Sequence, residues 1–267
     1  MTHSLHQGSV PLLVSMPHLG TRIPEALRAA YVPRALEVED TDWHLDRLYA
    51  FARGLGASVL QPSVSRYVID LNRPPDDTPM YPGASNTELC PTRFFTGDAL
   101  HREGAAPSAQ ERDERRATFW QPYHDALRRE LSRLRSLHGF VLLWDAHSIR
   151  SRIPWLFEGQ LPDLNIGTAD GASAHASITE AVARAAGRAP AGVTHAVNGR
   201  FKGGYITRHY GRPAEDVHAV QLEMTQRLYM REAAPWDYDE ACAAAIQPVL
   251  RDMVGSALEA CRRLHAG

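Results

Sequence analysis

The chain has few cysteines, and their spacing shows no C-x-x-C motif or disulfide framework. The three that occur among its 267 residues are Cys90, Cys242 and Cys261. Such sparing use of cysteine is typical of proteins in a reducing compartment. The first residues also lack the basic segment and long apolar segment of a secretory signal. We therefore expect a cytoplasmic protein.

Long apolar runs and an excess of one charge are also missing. No apolar stretch approaches the roughly 20 residues needed to cross a bilayer, and the formal net charge is −2. A balanced charge gives no overall field that would attract nucleic acid or an acidic membrane. The arginines between residues 112 and 135 alternate with acidic residues, which indicates a solvated helix face. We expect a small-molecule substrate and neither a nucleic-acid nor a membrane partner, and the sequence sets no oligomeric state.

Three common catalytic signatures do not occur. The chain has no G-x-x-x-x-G-K-[ST] loop and no G-x-G-x-x-G turn, so nucleotide binding has no support. It also has no G-x-S-x-G elbow, and no cysteine is spaced to a histidine in a recognised way. Covalent catalysis by serine or cysteine therefore has little support.

The segments that are present alternate between strand and helix patterns. Short apolar runs predict strands at residues 12–16, 57–60, 67–71, 140–144, 163–166, 194–197 and 219–224. Helical periodicity and capping signals predict helices at residues 41–56, 108–137, 173–186 and 238–264, with a kink or break at Pro122. Residues 72–109 predict a long irregular excursion. The pattern predicts a single domain over residues 1–267 with a three-layer α/β/α fold and a mostly parallel or mixed sheet.

Two histidines follow apolar strands at distant points of the chain. His18 follows the strand at residues 12–16, and His147 follows the strand at residues 140–144. Ligands of open α/β sheets bind outside the carboxyl ends of the strands, and two imidazoles there could hold a catalytic metal. The alternative is that each is a hydrogen-bonded histidine at a strand end.

Acidic residues could complete such a site. Asp42 lies at the start of the predicted helix at residues 41–56, three residues before an apolar helix position. We therefore prefer it to Asp40 as a third ligand. The alternative is that either aspartate is an N-cap. Glu223 near the end of the strand at residues 219–224 is a candidate general base, since burial would raise its pKa. Its alternative is an ion pair with Arg200 or Arg208. Asp145 either orients an imidazole or is only a turn residue.

Two segments are suited to binding an anionic substrate. Residues 65–74 carry Arg66, Asn72 and Arg73, and residues 198–208 combine basic side chains with glycines. An arginine fork is a natural clamp for a carboxylate, and glycine permits close backbone approach. The alternative for each arginine is a solvated surface charge. The candidates for substrate binding are Arg73, Arg200, Arg66, Arg208, Asn72, Gly203 and Gly204.

Taken together and in this order, these motifs resemble the N-formylglutamate amidohydrolase family. The resemblance runs from about residue 10 to about residue 232. The motifs that carry it are Ser15-Met-Pro-His18-Leu-Gly20, Asp40-Thr-Asp42-Trp-His-Leu-Asp46-Arg-Leu-Tyr49, Asp70-Leu-Asn72-Arg73-Pro74, Asp145-Ala-His147-Ser148, Asn198-Gly-Arg-Phe-Lys-Gly-Gly204-Tyr-Ile-Thr207 and Gln221-Leu-Glu223-Met.

The resemblance implies a fold similar to zinc-dependent exopeptidases and metal-assisted hydrolysis of N-formyl-L-glutamate, the last step of a histidine degradation route. By that resemblance His18, Asp42 and His147 would hold a divalent metal, with zinc the first choice, and Glu223 would be the base. Asp42 stands where related enzymes often carry glutamate. Two alternatives are open: an amidohydrolase or exopeptidase for another N-acyl amino acid or small peptide, and a non-catalytic dicarboxylate-binding protein.

Overall fold

A seven-stranded mixed sheet forms the centre of the computed structural model, which describes residues 2–80 and 87–266. The strand order is β1-β3-β2-β4-β7-β5-β6. The four strands β3, β2, β4 and β7 are mutually parallel, whereas β1 pairs antiparallel with β3 and β5 pairs antiparallel with β7. The strands are β1 (His3–His6), β2 (Leu12–Ser15), β3 (Ser58–Pro62), β4 (Val141–Ile149), β5 (Leu164–Gly167), β6 (His195–Val197) and β7 (Val217–Thr225).

Helices cover both faces of this sheet. The α-helices are α1 (Glu25–Arg28), α2 (Leu45–Leu48), α3 (Phe51–Gly54), α4 (Ala109–Arg115), α5 (Gln121–His138), α6 (Ala176–Ala186), α7 (Tyr205–Tyr210) and α8 (Glu240–Leu264). Apolar side chains of α2, α3, α6 and α8 pack on one face, and those of α5 and α7 pack on the other. The predicted three-layer α/β/α architecture with a mixed sheet is confirmed.

The central strands are buried along their whole length. All nine residues of β4 and all nine of β7 are buried, as expected of strands covered on both faces. Alternate residues serve the two cores: Leu142 and Trp144 pack against α8 and its neighbours, and Val141 and Leu143 pack against α5. Asp145 and His147 continue this second set and therefore point to the α5 face. No described helix is long and apolar enough to cross a membrane.

Two predicted elements are wrong. Residues 67–71 form turns and no strand; their apolar side chains are buried against the α5 core without joining the ladder. Residues 41–56 do not form one helix, because His44 adopts a left-handed conformation with φ of 59° and α2 begins only after it. Asp42 therefore lies in the turn before α2 rather than in a first helical turn.

The predicted helix at residues 108–137 forms with its capping box but without a break at Pro122. Ser108 Oγ accepts a hydrogen bond from Glu111 N, and Glu111 Oε2 accepts one from Ser108 N. A π-helical turn at Arg116–Trp120 joins α4 to α5, and the amide of Gln121 donates to Arg116 O, five residues earlier. This π turn ends at Trp120, two residues before Pro122, whose backbone has no N–H to donate.

The remaining elements agree with the prediction within a few residues at their ends, except that β4 continues to Ile149 instead of ending at residue 144. The predicted irregular excursion at residues 72–109 lies partly outside the described residues; its described part carries only isolated bridges before α4 begins. Among the strands and α-helices of the described residues, β1, α1 and α7 were not predicted. They contain four, four and six residues, too few to produce a distinct hydrophobic period.

Candidate metal centre

Three parallel strands deliver the candidate residues to one edge of the sheet. His18 lies three residues beyond the end of β2. His147 does not follow β4, as predicted, but lies inside it, because the strand continues to Ile149. In the ladder between β4 and β7, His147 is directly paired with Glu223. Their side chains therefore project side by side on the α5 face.

His18, Asp42 and His147 form a buried cluster. One ligand atom from each lies within 4.8 Å of the others. The Nδ1 atoms of His18 and His147 lie 3.6 and 3.1 Å from Asp42 Oδ2. The chain holds the carboxylate in place, because Asp42 N donates to His18 O at 3.1 Å and Ser148 N donates to Asp42 Oδ2 at 3.2 Å.

Each imidazole has a second carboxylate behind it. His18 Nε2 lies 2.6 Å from Asp70 Oδ1, and His147 Nε2 lies 3.3 Å from Asp145 Oδ1. Asp145 Oδ1 accepts no hydrogen bond from a described residue, whereas Asp145 Oδ2 accepts from Thr207 Oγ1 at 3.0 Å. The close contact with Asp70 favours protonation of His18 at Nε2 and leaves its Nδ1 to coordinate a metal.

This donor set fits a divalent transition metal. Two imidazole nitrogens and one carboxylate are a frequent ligand set of catalytic zinc. Tetrahedral ligands at about 2.0–2.1 Å from zinc lie about 3.3 Å from one another, close to the separations found between Asp42 and the two Nδ1 atoms. The residues present are therefore compatible with zinc.

The charges in the cluster shift its pKa values strongly. Burial raises the pKa of Asp42, but the facing imidazoles of His18 and His147 outweigh it and hold that pKa below its usual range. Burial would lower the pKa of His147, yet Asp145 and Asp42 raise it well above its usual value. A metal ion at this cluster would therefore compete with a proton for His147.

Asp40 is engaged elsewhere. Its Oδ1 accepts from Arg150 at 2.7 Å, and its Oδ2 accepts from Tyr67 Oη at 2.8 Å and from Phe95 N at 2.9 Å. Its carboxylate is therefore committed to a structural network. The geometry favours Asp42 over Asp40 as the acidic ligand, as the sequence did.

Glu223 lies beside the cluster, and no side chain among residues 2–80 and 87–266 donates a hydrogen bond to its carboxylate. Of the two arginines considered as ion-pair partners, Arg200 donates to Leu156 O and Arg208 donates to Gly203 O. Burial, followed by the charge of Asp42, raises the pKa of Glu223 to about 8, although His147 and Arg66 oppose this. A buried carboxylate that holds its proton until near neutral pH is suited to proton transfer.

A cavity of about 140 Å³ opens beside His18, His147 and Glu223. Three of the predicted arginines line it: Arg66, Arg73 and Arg200. Its apolar lining consists of Phe95, Ile149, Leu156 and Phe201, which the sequence did not single out. The cavity lining therefore combines cationic with apolar side chains.

The arginines differ in how they are held. Arg66 is buried, pairs with Asp70 at 2.9 Å and lies over the Phe95 ring. Arg73 donates to Thr87 O at 2.9 Å. Arg200 is exposed and donates to Leu156 O at 2.6 Å. Arg208 is also exposed, but it lies outside the cavity lining and donates to Gly203 O at 2.8 Å.

The remaining candidates act through the backbone or through other side chains. Asn72 Oδ1 accepts from Ile206 N, and its Nδ2 lies 2.9 Å from His147 Nε2. Gly204 lines the cavity, and a Cβ there would lie 2.3 Å from Asn72 Nδ2, so a side chain does not fit. Gly203 is absent from the described cavity lining, and its φ of +111° favours glycine.

Asp70 is the residue of this site that sequence reasoning passed over. It is fully buried, and its two oxygens contact His18 and Arg66. Burial opposes ionisation, but His18, Arg73 and Arg66 hold the pKa of Asp70 well below its usual range. The sequence did offer one signal for Asp70: it begins the Asp-Leu-Asn-Arg-Pro motif, two residues before Asn72.

Comparison with known proteins shows the family of this chain. The sequence profile of the family described as N-formylglutamate amidohydrolase matches residues 10–230. The chain belongs to the N-formylglutamate amidohydrolase family. All of the candidate metal ligands, the candidate base and the candidate substrate-binding residues lie inside the matched range.

Individual relatives support the same assignment to the amidohydrolase family. The chain is 52% identical to the N-formylglutamate deformylase of Pseudomonas putida over 255 residues, which are 96% of this chain and 95% of the relative. It is also 52% identical to the N-formylglutamate deformylase of Pseudomonas aeruginosa over 266 residues, 98% of each.

Solved structures show the same fold. The crystal structure of N-formylglutamate amidohydrolase from Ralstonia eutropha JMP134 superposes with a TM-score of 0.81 at 25% identity, covering 100% of this chain and 99% of that one. A protein of Agrobacterium tumefaciens superposes with a TM-score of 0.73 at 18% identity, covering 97% and 95%.

Proposed function

We propose that this chain hydrolyses N-formyl-L-glutamate to formate and L-glutamate with the help of a divalent metal. The observation that carries the proposal is the buried carboxylate of Glu223, which has no partner among the residues that the structure describes. It lies beside the His18–Asp42–His147 cluster, in a cavity lined by arginines. Membership of the amidohydrolase family and the names of the two Pseudomonas relatives support the choice of substrate.

His18, Asp42 and His147 would hold the metal, and zinc suits their donor set best. The ion would supply polarisation of the formyl carbonyl and a lowered pKa for water. Asp70 and Asp145 would keep both imidazoles oriented with Nδ1 toward the cluster.

Glu223 would transfer the proton. Its carboxylate takes one proton from the attacking water, whose oxygen bonds to the formyl carbon. The C–N bond then breaks, and Glu223 returns the proton to the leaving nitrogen, giving formate and the amine of glutamate. The position of Glu223 directly beside His147 suits this role.

The arginines would recognise the two carboxylates of the substrate. Arg73 and Arg200 are the first choices, because both line the cavity, and Arg66 follows because it is already paired with Asp70. Arg208 is the weakest candidate of the four, since it lies outside the cavity lining. A guanidinium can bind a carboxylate through two parallel hydrogen bonds.

The family resemblance further suggests a role at the end of histidine degradation. Together with the low cysteine content, it suggests a cytoplasmic enzyme built as a single catalytic domain over residues 1–267.

The test is an assay of the purified protein on N-formyl-L-glutamate, with formate, glutamate and bound metal quantified in one preparation. We expect equal amounts of the two products, loss of activity with a chelator and recovery with zinc. A higher rate on N-acetyl-L-glutamate would instead indicate another N-acyl substrate. If the protein binds glutamate but contains no metal and shows no turnover, the proposal is wrong and the chain is a dicarboxylate-binding protein.

A further inference from the structure

Residues 66–75 carry four residues of the site but belong to no strand or helix. Side chains from elsewhere in the chain hold their backbone instead. Distant donors reach the carbonyl oxygens of five residues in this segment. They are Tyr31 Oη to Tyr67 O at 2.8 Å, Arg115 Nη1 to Val68 O at 3.2 Å, His124 Nε2 to Leu71 O at 2.8 Å, Trp120 Nε1 to Arg73 O at 3.0 Å and Arg116 Nη1 to Pro75 O at 3.1 Å.

Four of these donors lie on the continuous helix formed by α4, the π turn and α5. Side chains four residues apart in an α-helix point in somewhat different directions, because one turn takes about 3.6 residues. The wider π turn at Arg116–Trp120 reduces this difference in direction. Arg116, Trp120 and His124 therefore reach the same segment. Single π turns inside α-helices are frequent at functional sites.

His124 is held in one orientation. Burial lowers its pKa to about 3, so the ring is neutral. Because Leu71 O can only accept, the ring proton lies on Nε2, and Tyr210 Oη at 3.0 Å donates to Nδ1. Trp120 stacks on the His124 ring at 3.7 Å between centroids. The two donors therefore form one rigid aromatic pair.

The same pair is linked to the helix that holds Asn72. Tyr210 ends α7, and the amide of Ile206 in α7 donates to Asn72 Oδ1 at 2.8 Å. His124 thus fixes the backbone between Asp70 and Asn72, whereas Trp120 fixes the carbonyl of Arg73.

We propose that Trp120 and His124 are positioning residues that set the backbone at Leu71 and Arg73, so that Asp70 and Asn72 face the two histidines and Arg73 faces the substrate carboxylate. This inference rests on the proposed function for its substrate. Trp120 acts mainly on substrate binding, and His124 acts mainly on the orientation of the metal-binding imidazoles.

Trp120→Phe tests the first part, because it keeps an aromatic ring and removes the indole donor. An unsatisfied buried acceptor corresponds to a loss of about 10-fold. We expect KM for N-formyl-L-glutamate and the dissociation constant of L-glutamate to rise by about that factor, with kcat and zinc content little changed. The matched control is Trp144→Phe, which removes a buried indole donor to Tyr49 Oη on the opposite face of the sheet.

His124→Phe and His124→Gln test the second part. We expect the phenylalanine variant to bind zinc about 10-fold more weakly in a chelator competition, and the glutamine variant, whose amide can still donate to Leu71 O, to recover part of the loss. The zinc titration requires no turnover, so it decides this inference even if the wild-type protein has no deformylase activity. Variants that lose only thermal stability, the result expected of Trp144→Phe, with unchanged zinc and glutamate affinities would overturn it.

Discussion

The site has two halves that are held in place by different forces. His147 and Glu223 lie on adjacent parallel strands, and the ladder between β4 and β7 fixes their separation. Asp70, Asn72 and Arg73 lie on an irregular segment whose carbonyls accept hydrogen bonds from helix side chains some 50 residues away in sequence. We refer to these as the strand half and the segment half.

The difference indicates where each half is vulnerable. Backbone ladders do not depend on side-chain identity, so the strand half fails only when its own chemical groups change. The segment half depends on specific donors, and each buried donor lost leaves a carbonyl unsatisfied. Substitutions remote from the chemistry should therefore affect the segment half far more.

The sharpest test of the strand half is Glu223→Gln. The amide has the shape of the carboxylate but cannot take a proton from water, so we expect kcat to fall by about 10²–10⁴-fold. Metal content and KM should change little, because the strand ladder is untouched. The control is Glu130→Gln, which alters a buried glutamate on α5 that pairs with Arg133 and contacts Ser58 at the start of β3. Undiminished kcat with full metal occupancy would remove Glu223 from the mechanism.

Asp70→Asn tests whether the segment half supports the metal. The substitution keeps the shape of the side chain but removes the charge behind His18, and we expect zinc affinity to fall by about 10–100-fold. Chelator competition measures this directly. Asp163→Asn is a suitable control, since Asp163 is a buried aspartate paired with Arg227. Equal zinc affinities for wild type and Asp70→Asn would show that the contact of 2.6 Å does not tune the metal site.

Arg73→Lys tests the contact of the segment half with substrate. Lysine keeps the charge but loses the planar fork, so KM should rise by about 10-fold at similar kcat. We expect Arg200→Lys to have a smaller effect, because Arg200 is exposed. Arg251→Lys on the outer surface of α8 serves as the control. A larger effect at Arg200 than at Arg73 would reverse the assignment of the main clamp.

The sequence predicted that the residues of the strand half would meet at one edge of the sheet, because strands leave a periodic signal. His18, His147 and Glu223 each follow or end an apolar run, and parallel strands bring such positions to one edge. The sequence also favoured Asp42 as the acidic ligand. It did not predict that α2 begins only after His44, because a left-handed residue leaves no signal in hydrophobic periodicity.

The segment half was less predictable because distant contacts determine it. The apolar residues at 67–71 imitate a strand, but their backbone is satisfied by α4, α5 and Tyr31 rather than by a ladder. The role of Asp70 depends on this fold. Arg200 and Arg208 presented the same difficulty: they share one glycine-rich segment, and only the fold shows that Arg200 lines the cavity.

The last and smallest effect concerns stability rather than rate. In the folded metal-free protein the pKa of Glu223 is raised from 4.5 to about 8. Between those pH values the folded state holds a proton that the unfolded chain has lost, so raising the pH through this window reduces the stability of the wild type. Glutamine at position 223 does not titrate. For chelator-treated protein, we expect the Tm of Glu223→Gln to exceed that of the wild type by a margin that grows by a few degrees from pH 5 to pH 8. Parallel Tm profiles across that range would show that ionisation of Glu223 does not reduce the stability of the folded state.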